Sequence, residues 1–285
     1  MPRLEPTFSS NISSVDLHCH STASDGFLTP HDLVQKALSS GLRVIALTDH
    51  DSTAGHLEAD AATVDSDIEV IPGIELSSNL ESDEFHLLGY FVDRANAHLI
   101  AHLKWCQEKR VARIQQMCQK MAQLGLPVTY EDVMTHAGPG SVGRPHVALV
   151  LIQLGLVSSI GEAFDKYLGV GRPGYVPREN VDPFSAISVI RQAGGVAVLA
   201  HPFSVGEYRL HLPALVDSGL QGLESYYGEY HQNARERLAA DARRFDLIAT
   251  GGSDYHGDGF KEGRGIGSVY VPPTVVEELR AAAGT

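Results

Sequence analysis

The chain has 285 residues, 43% of them hydrophobic and 20% charged, with a formal net charge of -13. This is the make-up of a globular protein with one large core, and an α/β barrel of this length forms a single unit. The acidic field excludes a broad basic face for long nucleic acid but leaves room for a small anion in a local pocket.

The N-terminal residues 1–6 (MPRLEP) carry no signal-type apolar run, and no stretch approaches the roughly 20 apolar residues needed to span a bilayer. No membrane association is expected. The first apolar run, 14–20, reads as a strand ending in His18-Cys19-His20, and strand alternation points both imidazoles to one side. A helix follows it. Thr29 is placed to cap, Pro30 suits the first turn, Leu33, Val34, Ala37 and Leu38 give an apolar face, and Gly41 ends it.

Residues 43–50 (RVIALTDH) then read as a buried parallel strand, because their apolar run does not alternate. Strands at 69–76 (EVIPGIEL) and 85–92 (FHLLGYFV) come next, joined by a polar turn at 79–83. Later strands are expected at 195–201, 220–226 and 247–256, with helical stretches between them. Parallel strands joined by helices point to a barrel or an open α/β sheet.

Residues 94–181 break this rhythm. From 95 to 124, Leu99, Leu103, Ile114, Met121 and Leu124 fall mainly on one helical face, and Gly125 and Pro127 close the helix. Thr129 with Asp132 and Ser159 with Glu162 have the spacing of helix starts. The expected organisation is a barrel of residues 12–93 and 182–285 with a helical insertion, a cap, at 94–181. The three cysteines, Cys19, Cys106 and Cys118, fit neither a disulfide framework nor a zinc knuckle, so a reducing cytoplasm is the expected home. Cys19 should face away from its flanking histidines and pack.

Metal-type residues recur at the strand ends, where parallel α/β folds place their chemistry. The first strand gives His18 and His20, with Asp25 in the loop beyond. The second gives Asp49 and His50, the third Glu75, and its neighbour His86. A later strand gives His201, and the last gives Asp254 and His256. Any one histidine here is explained by a hydrogen bond. Together, six of the 14 histidines converge with three carboxylates and no matching supply of cations, and uncompensated buried carboxylates are costly. Divalent ions resolve this, and mixed histidine and carboxylate donors suit manganese, iron or zinc better than calcium.

The segments DLHCHSTASDG, ALTDHD, PGIELS, AHP and GSDYH closely resemble the polymerase-and-histidinol-phosphatase (PHP) family of metal-dependent phosphoesterases. The match runs over most of the chain. SVGRPHVALVLIQLG and FDKYLGVGRPGYVPRE resemble its branch of nucleoside 3',5'-bisphosphate phosphatases that also act as 5'-3' exoribonucleases on short RNA. The resemblance implies a distorted (β/α)7 barrel with a helical insertion. It also implies a site of two or three ions, manganese first and iron or zinc as alternatives. His18, His20, Glu75 and Asp254 would hold one ion. Glu75 would bridge to a second, completed by His86 and His201, while Asp25, His50 and His256 would hold a third. Asp25 stands where other branches carry a histidine.

In such a site adjacent cations lower the pKa of a bridging water and orient it, so no protein nucleophile is required. His18, His20, Glu75, His201 and Asp254 form the expected catalytic set. Arg144 and His146, in a glycine- and proline-rich loop, with Lys166, Arg172 and Arg178, are the candidates for substrate phosphate, since arginine binds phosphate in bidentate fashion. Phe203, Tyr226 and Tyr227 are candidates for stacking on a base. The partner expected is a small nucleotide or short oligoribonucleotide bound to a monomer. Three alternatives share these residues. One is a histidinol-phosphate-type phosphomonoesterase. Another is an amidohydrolase, whose bridging lysine is replaced here by Glu75. The third is a non-catalytic metal-binding regulatory module, against which the complete ligand set argues.

Overall fold

The computed structural model describes residues 13–81, 83–137, 140–261 and 263–285. Residues 1–12, where no signal-type run is expected, and Ser82 in the turn expected at 79–83 lie outside the described residues.

Seven strands form one sheet in chain order: β1 (Val15–Cys19), β2 (Val44–Leu47), β3 (Glu69–Leu80), β4 (Asp83–Tyr90), β5 (Val196–Leu199), β6 (Gly222–Tyr227) and β7 (Ile248–Gly252). Beyond β7, Tyr255 bridges Cys19, and the His20 amide donates to the Tyr255 carbonyl at 2.9 Å. The sheet thereby curls into a nearly closed barrel. Glycine makes this seam tight, since a Cβ at Gly252 would lie 2.4 Å from the His18 nitrogen.

The helices are α1 (Pro30–Ser39), α2 (His56–Ala62), α3 (Ala97–Gln123), α4 (Tyr130–Ala137), α5 (Arg144–Gln153), α6 (Ile160–Ala163), α7 (Pro183–Gln192), α8 (Tyr208–Asp217), α9 (Gln232–Arg244) and α10 (Thr274–Ala283). The Thr29 hydroxyl accepts the Asp32 amide at 3.1 Å, and Pro30 opens α1, as the residue types dictate. The 27 residues of α3 are capped by Asn96, whose side chain accepts the amides of His98 and Leu99.

One expectation fails. β4 pairs antiparallel with both β3 and β5, so the sheet is not uniformly parallel. The short turn between β3 and β4 explains it, because a few residues can close a hairpin but not a crossover. His86 accordingly lies in the first half of its strand rather than at its end. Reversal carries it to the same end of the barrel as the others, opposite Ser77 and on the face shared with Glu75.

Alternate residues of β4 and β5 divide between two cores. Leu87, Ala197 and Leu199 pack with Ile187 and Ile190 of α7 and with Leu212 and Leu215 of α8. Leu88, Tyr90, Val196 and Val198 pack with Val271, Val275 and Leu279 at the C-terminal end of the chain. Residues between β4 and β5 have a further core of their own, gathering Ile114, Met117, Met121, Val133, Val147, Leu151 and Leu168. Cys19 packs with Leu33, Val34 and Leu47 under α1, away from the strand-end histidines.

Candidate active site

Glu75 lies at the centre of the strand ends and is almost wholly buried. Its Oε2 lies 3.2 Å from His18 Nε2, 3.2 Å from His20 Nε2 and 3.0 Å from His50 Nδ1. Its Oε1 lies 2.8 Å from His86 Nδ1 and 3.1 Å from His201 Nε2. Asp254 Oδ1 faces the same two imidazoles, at 3.4 Å from His18 Nε2 and 3.2 Å from His20 Nε2. Asp25 Oδ1 is 3.4 Å from His256 Nε2 and 3.9 Å from His50 Nε2. All nine residues expected to ligate metal are thus brought to one end of the barrel.

Their donor atoms fall into three overlapping sets, each within 4.8 Å: His18, His20, Glu75 and Asp254; His50, Glu75 and His86; and His20, Asp25, His50 and His256. Among the described residues, both ring nitrogens of His20, Nδ1 of His50 and Oδ1 of Asp25 are buried with no well-aligned hydrogen bond, although charged partners lie within 3.0–3.4 Å of three of them. Buried polar atoms in a native site call for an explanation. Lone pairs of imidazole and carboxylate gathered at this spacing fit divalent cations. The first set has the residues of one expected grouping, the third adds His20 to Asp25, His50 and His256, and the second has His50 where His201 was expected, although His201 still reaches Glu75.

The electrostatics are those of a strongly coupled cluster. Burial by itself raises the Glu75 carboxyl, yet the imidazoles of His50, His18 and His86 outweigh it and hold it well below the usual range. Asp254 is held down in the same way by His18 and Arg264 against its burial. Burial depresses His20, but the carboxylates of Asp254 and Glu75 lift it to about 9. His86 rises to about 10 through Glu75 and Glu84, whereas burial prevails at His50 and brings it to about 3.

Two of the central residues have strained backbones. His201 has φ of 27° and Asp254 has φ of 55°, in the left-handed region that non-glycine residues avoid unless their surroundings impose it. The neighbouring bonds do so. The His201 amide donates to Glu224 Oε2 at 2.6 Å, and His201 Nδ1 pairs with Ser204 Oγ at 2.8 Å. The Tyr227 hydroxyl donates to Asp254 Oδ2 at 2.7 Å, and Arg264 Nη1 lies 2.7 Å from the same oxygen. Tyr227 is therefore engaged with Asp254 rather than presented to a base.

Glu224 and Arg264 were not among the residues singled out from the sequence. Glu224 is fully buried, and its Oε1 lies 2.8 Å from His18 Nδ1, so it fixes the imidazole that presents Nε2 to Glu75 and Asp254. This is the usual second partner of a metal-binding histidine. A charged residue inside the apolar pattern of 220–226 was the available signal. Arg264, in a glycine-rich coil without periodicity, left none. Asp49, by contrast, turns away from the centre and accepts hydrogen bonds from Ser21 and Ser24.

A pocket of about 280 Å³ opens over the centre, lined by Asp25, His50, Glu75, His86, His201, Asp254 and His256 together with Arg144, Phe164, Phe260 and Arg264. Of the residues expected to hold substrate, Arg144 alone lines it. Arg144 is not in a loop: it opens α5, whose start Pro145 favours through its fixed φ and missing N–H. Its guanidinium lies 5.2 Å from the Phe164 ring centre, and among the described residues no carboxylate pairs with it. His146 is buried and accepts the Gly143 amide at 2.9 Å. Lys166 is exposed and pairs with Glu162, and Arg172 is exposed. Arg178 is committed with Arg110 to the Asp51 carboxylate and donates to Ser77 Oγ.

The PHP domain model matches residues 16–102. A 5'-3' exoribonuclease of Haemophilus influenzae is 39% identical over 85% of this chain and 89% of its own. The chain belongs to the PHP family. A 3',5'-nucleoside bisphosphate phosphatase of Chromobacterium violaceum is 34% identical over 94% of this PHP protein and 95% of its own length. A Bifidobacterium adolescentis protein assigned to the metal-dependent phosphoesterases superposes with a TM-score of 0.88 at 31% identity, covering 94% of this chain and 96% of that one. This PHP protein is a metal-dependent phosphoesterase, a hydrolase of phosphoric esters.

Proposed function

We propose that this PHP enzyme removes one phosphate from nucleoside 3',5'-bisphosphates and degrades short RNA stepwise from its 5' end. The observation that carries this reading is Arg144, a guanidinium without a carboxylate partner among the described residues, on the rim of the pocket that holds the histidine and carboxylate centre. One phosphate at the centre and a second on Arg144 is the arrangement a bisphosphate requires, and a planar guanidinium grips phosphate through two parallel bonds. The names of the two curated relatives support it.

His18, His20, Glu75 and Asp254 would hold one ion, Glu75, His86 and His201 a second, and Asp25, His50 and His256 a third. Manganese is the metal of choice, with iron or zinc as alternatives. When bound, such ions would activate water for attack on phosphorus and neutralise charge developing on its oxygens. The protein's own part is placement. Glu224 orients His18, Tyr227 and Arg264 orient Asp254, and Arg144 holds the phosphate that does not react. Residues 94–181 would act as a cap that supplies Arg144, and the three free thiols suit a reducing cytoplasm.

Phosphate release from adenosine 3',5'-bisphosphate with added manganese tests the reading. Arg144→Ala should raise KM for the bisphosphate about tenfold or more, as loss of a charge-assisted contact predicts, and leave turnover of a simple aryl phosphate unchanged. Turnover of aryl phosphate or histidinol phosphate alone, with no release from the bisphosphate, would return the enzyme to the histidinol-phosphate type.

A further inference from the structure

Beside the catalytic pocket the molecule has a second, uncharged groove of about 430 Å³, formed where the cap faces the barrel loops. Leu149 and Ile152 of α5 and Ile160 of α6 line one side, and Phe27 and Phe260 the other. Among the described residues no charged one lines it. Phe260 belongs to both cavities, because its ring stacks on His256 with centroids 4.5 Å apart and planes 12° from parallel. Phe27 continues the aromatic surface outward. Its ring meets Phe260 edge to face at 5.7 Å, and it is 42% exposed.

Phe27 is held in place by its surroundings. Its amide donates to the His256 carbonyl at 2.6 Å. Its ring lies so close to Gly257 that a Cβ there would meet it at 2.5 Å, and Gly257 has φ of 144°, a conformation side chains rarely adopt. A fixed, half-exposed aromatic ring on the wall of an apolar cleft is a platform for a flat apolar face.

We propose that this groove binds the base of the second nucleotide of a short RNA, the one attached through its 5' oxygen to the phosphate under attack. The inference rests on the proposed bisphosphate and oligoribonucleotide reading and adds a subsite to it. The argument is continuity and charge. The groove shares Phe260 with the pocket over the centre, so a chain leaving the centre past His256 would enter it. Its lining suits a neutral planar ring and not a phosphate. A mononucleoside bisphosphate has one base and no second one to place there, so a groove that takes the second base separates oligonucleotide from mononucleotide substrates.

The test is Phe27→Ala, with Phe27→Trp as the aromatic rescue, compared on adenosine 3',5'-bisphosphate and on a 5'-phosphorylated diribonucleotide. Phe27→Ala should lower kcat/KM on the dinucleotide about tenfold, the loss of one base-stacking partner, and leave the bisphosphate rate and the Tm unchanged. Phe27→Trp should restore the dinucleotide rate. Equal losses on both substrates, or no loss on the dinucleotide, would overturn the subsite. Failure of the wild-type enzyme to turn over the bisphosphate would defeat the functional reading itself, which that control reads separately.

Discussion

His18 touches two carboxylates with one ring nitrogen and a third with the other. Nε2 faces Glu75 and Asp254, and Nδ1 pairs with Glu224 at 2.8 Å. A carboxylate on Nδ1 keeps the proton there and leaves Nε2 as a lone-pair donor aimed at the centre. Glu224→Gln keeps the volume and a hydrogen-bonding oxygen but removes the charge that makes Nε2 basic. We expect metal affinity to fall about 10–100-fold with the fold intact, measured by competition with a chromophoric chelator and by circular dichroism. An affinity equal to wild type would show that Glu224 only fills space. The residue also shows where sequence reading stops. His18 and His20 stand out by their spacing, whereas Glu224 becomes meaningful only when β6 lies between β5 and β7 and the barrel closes on β1.

At the scale of the element, the strands were legible because apolar runs ended in chemistry-bearing residues, and their order in the sheet followed chain order. The direction of β4 was hidden, since FHLLGYF reads alike in either sense and only the short turn before it sets the hairpin. The start of α5 was hidden for a related reason. Gly143 and Pro145 suggested a loop, although proline near the first position is a helix start. The β1–β7 seam depends on an element-level detail of another kind. A Cβ at Gly252 would lie 2.4 Å from the backbone nitrogen and 2.5 Å from the Cβ of His18, and neither can move without shifting β1. Gly252→Ala should therefore cost about 1–3 kcal/mol, as overpacking does. In a chain of this size that corresponds to a Tm lowered by at least ~2 °C. It should also weaken metal binding, because His18 moves with its strand. A Tm and metal affinity both equal to wild type would show that the seam yields without cost.

For the molecule as a whole, an acidic chain of net charge -13 converges three carboxylates and six imidazoles on one barrel end, with Glu224 behind them. The convergence was legible because most of the ligands, spread over 239 residues from His18 to His256, follow apolar strand runs that the barrel must bring together, and His86 joins them through the reversal of β4. The pairing of Arg178 with Asp51 and the exposure of Lys166 were not, since they depend on how the inserted helices lie. A centre drawn from so many strands ties metal binding to folding of the entire barrel, because the unfolded chain has no such site. Any ion that binds the folded form alone stabilises it by RT ln(1 + [L]/Kd), about 2.7 kcal/mol per site at a hundredfold excess over Kd. For a protein of this size that is a rise in Tm of roughly 5–10 °C per strong site. Manganese titrated into chelator-treated enzyme should raise the Tm progressively, and excess EDTA should reverse it. His20→Ala, which removes a donor shared by two of the ligand sets, should abolish most of the rise. A Tm indifferent to manganese, zinc and iron at concentrations that support turnover would mean that the ions do not favour the folded form at those concentrations and that the barrel end is held by its histidine–carboxylate pairs alone.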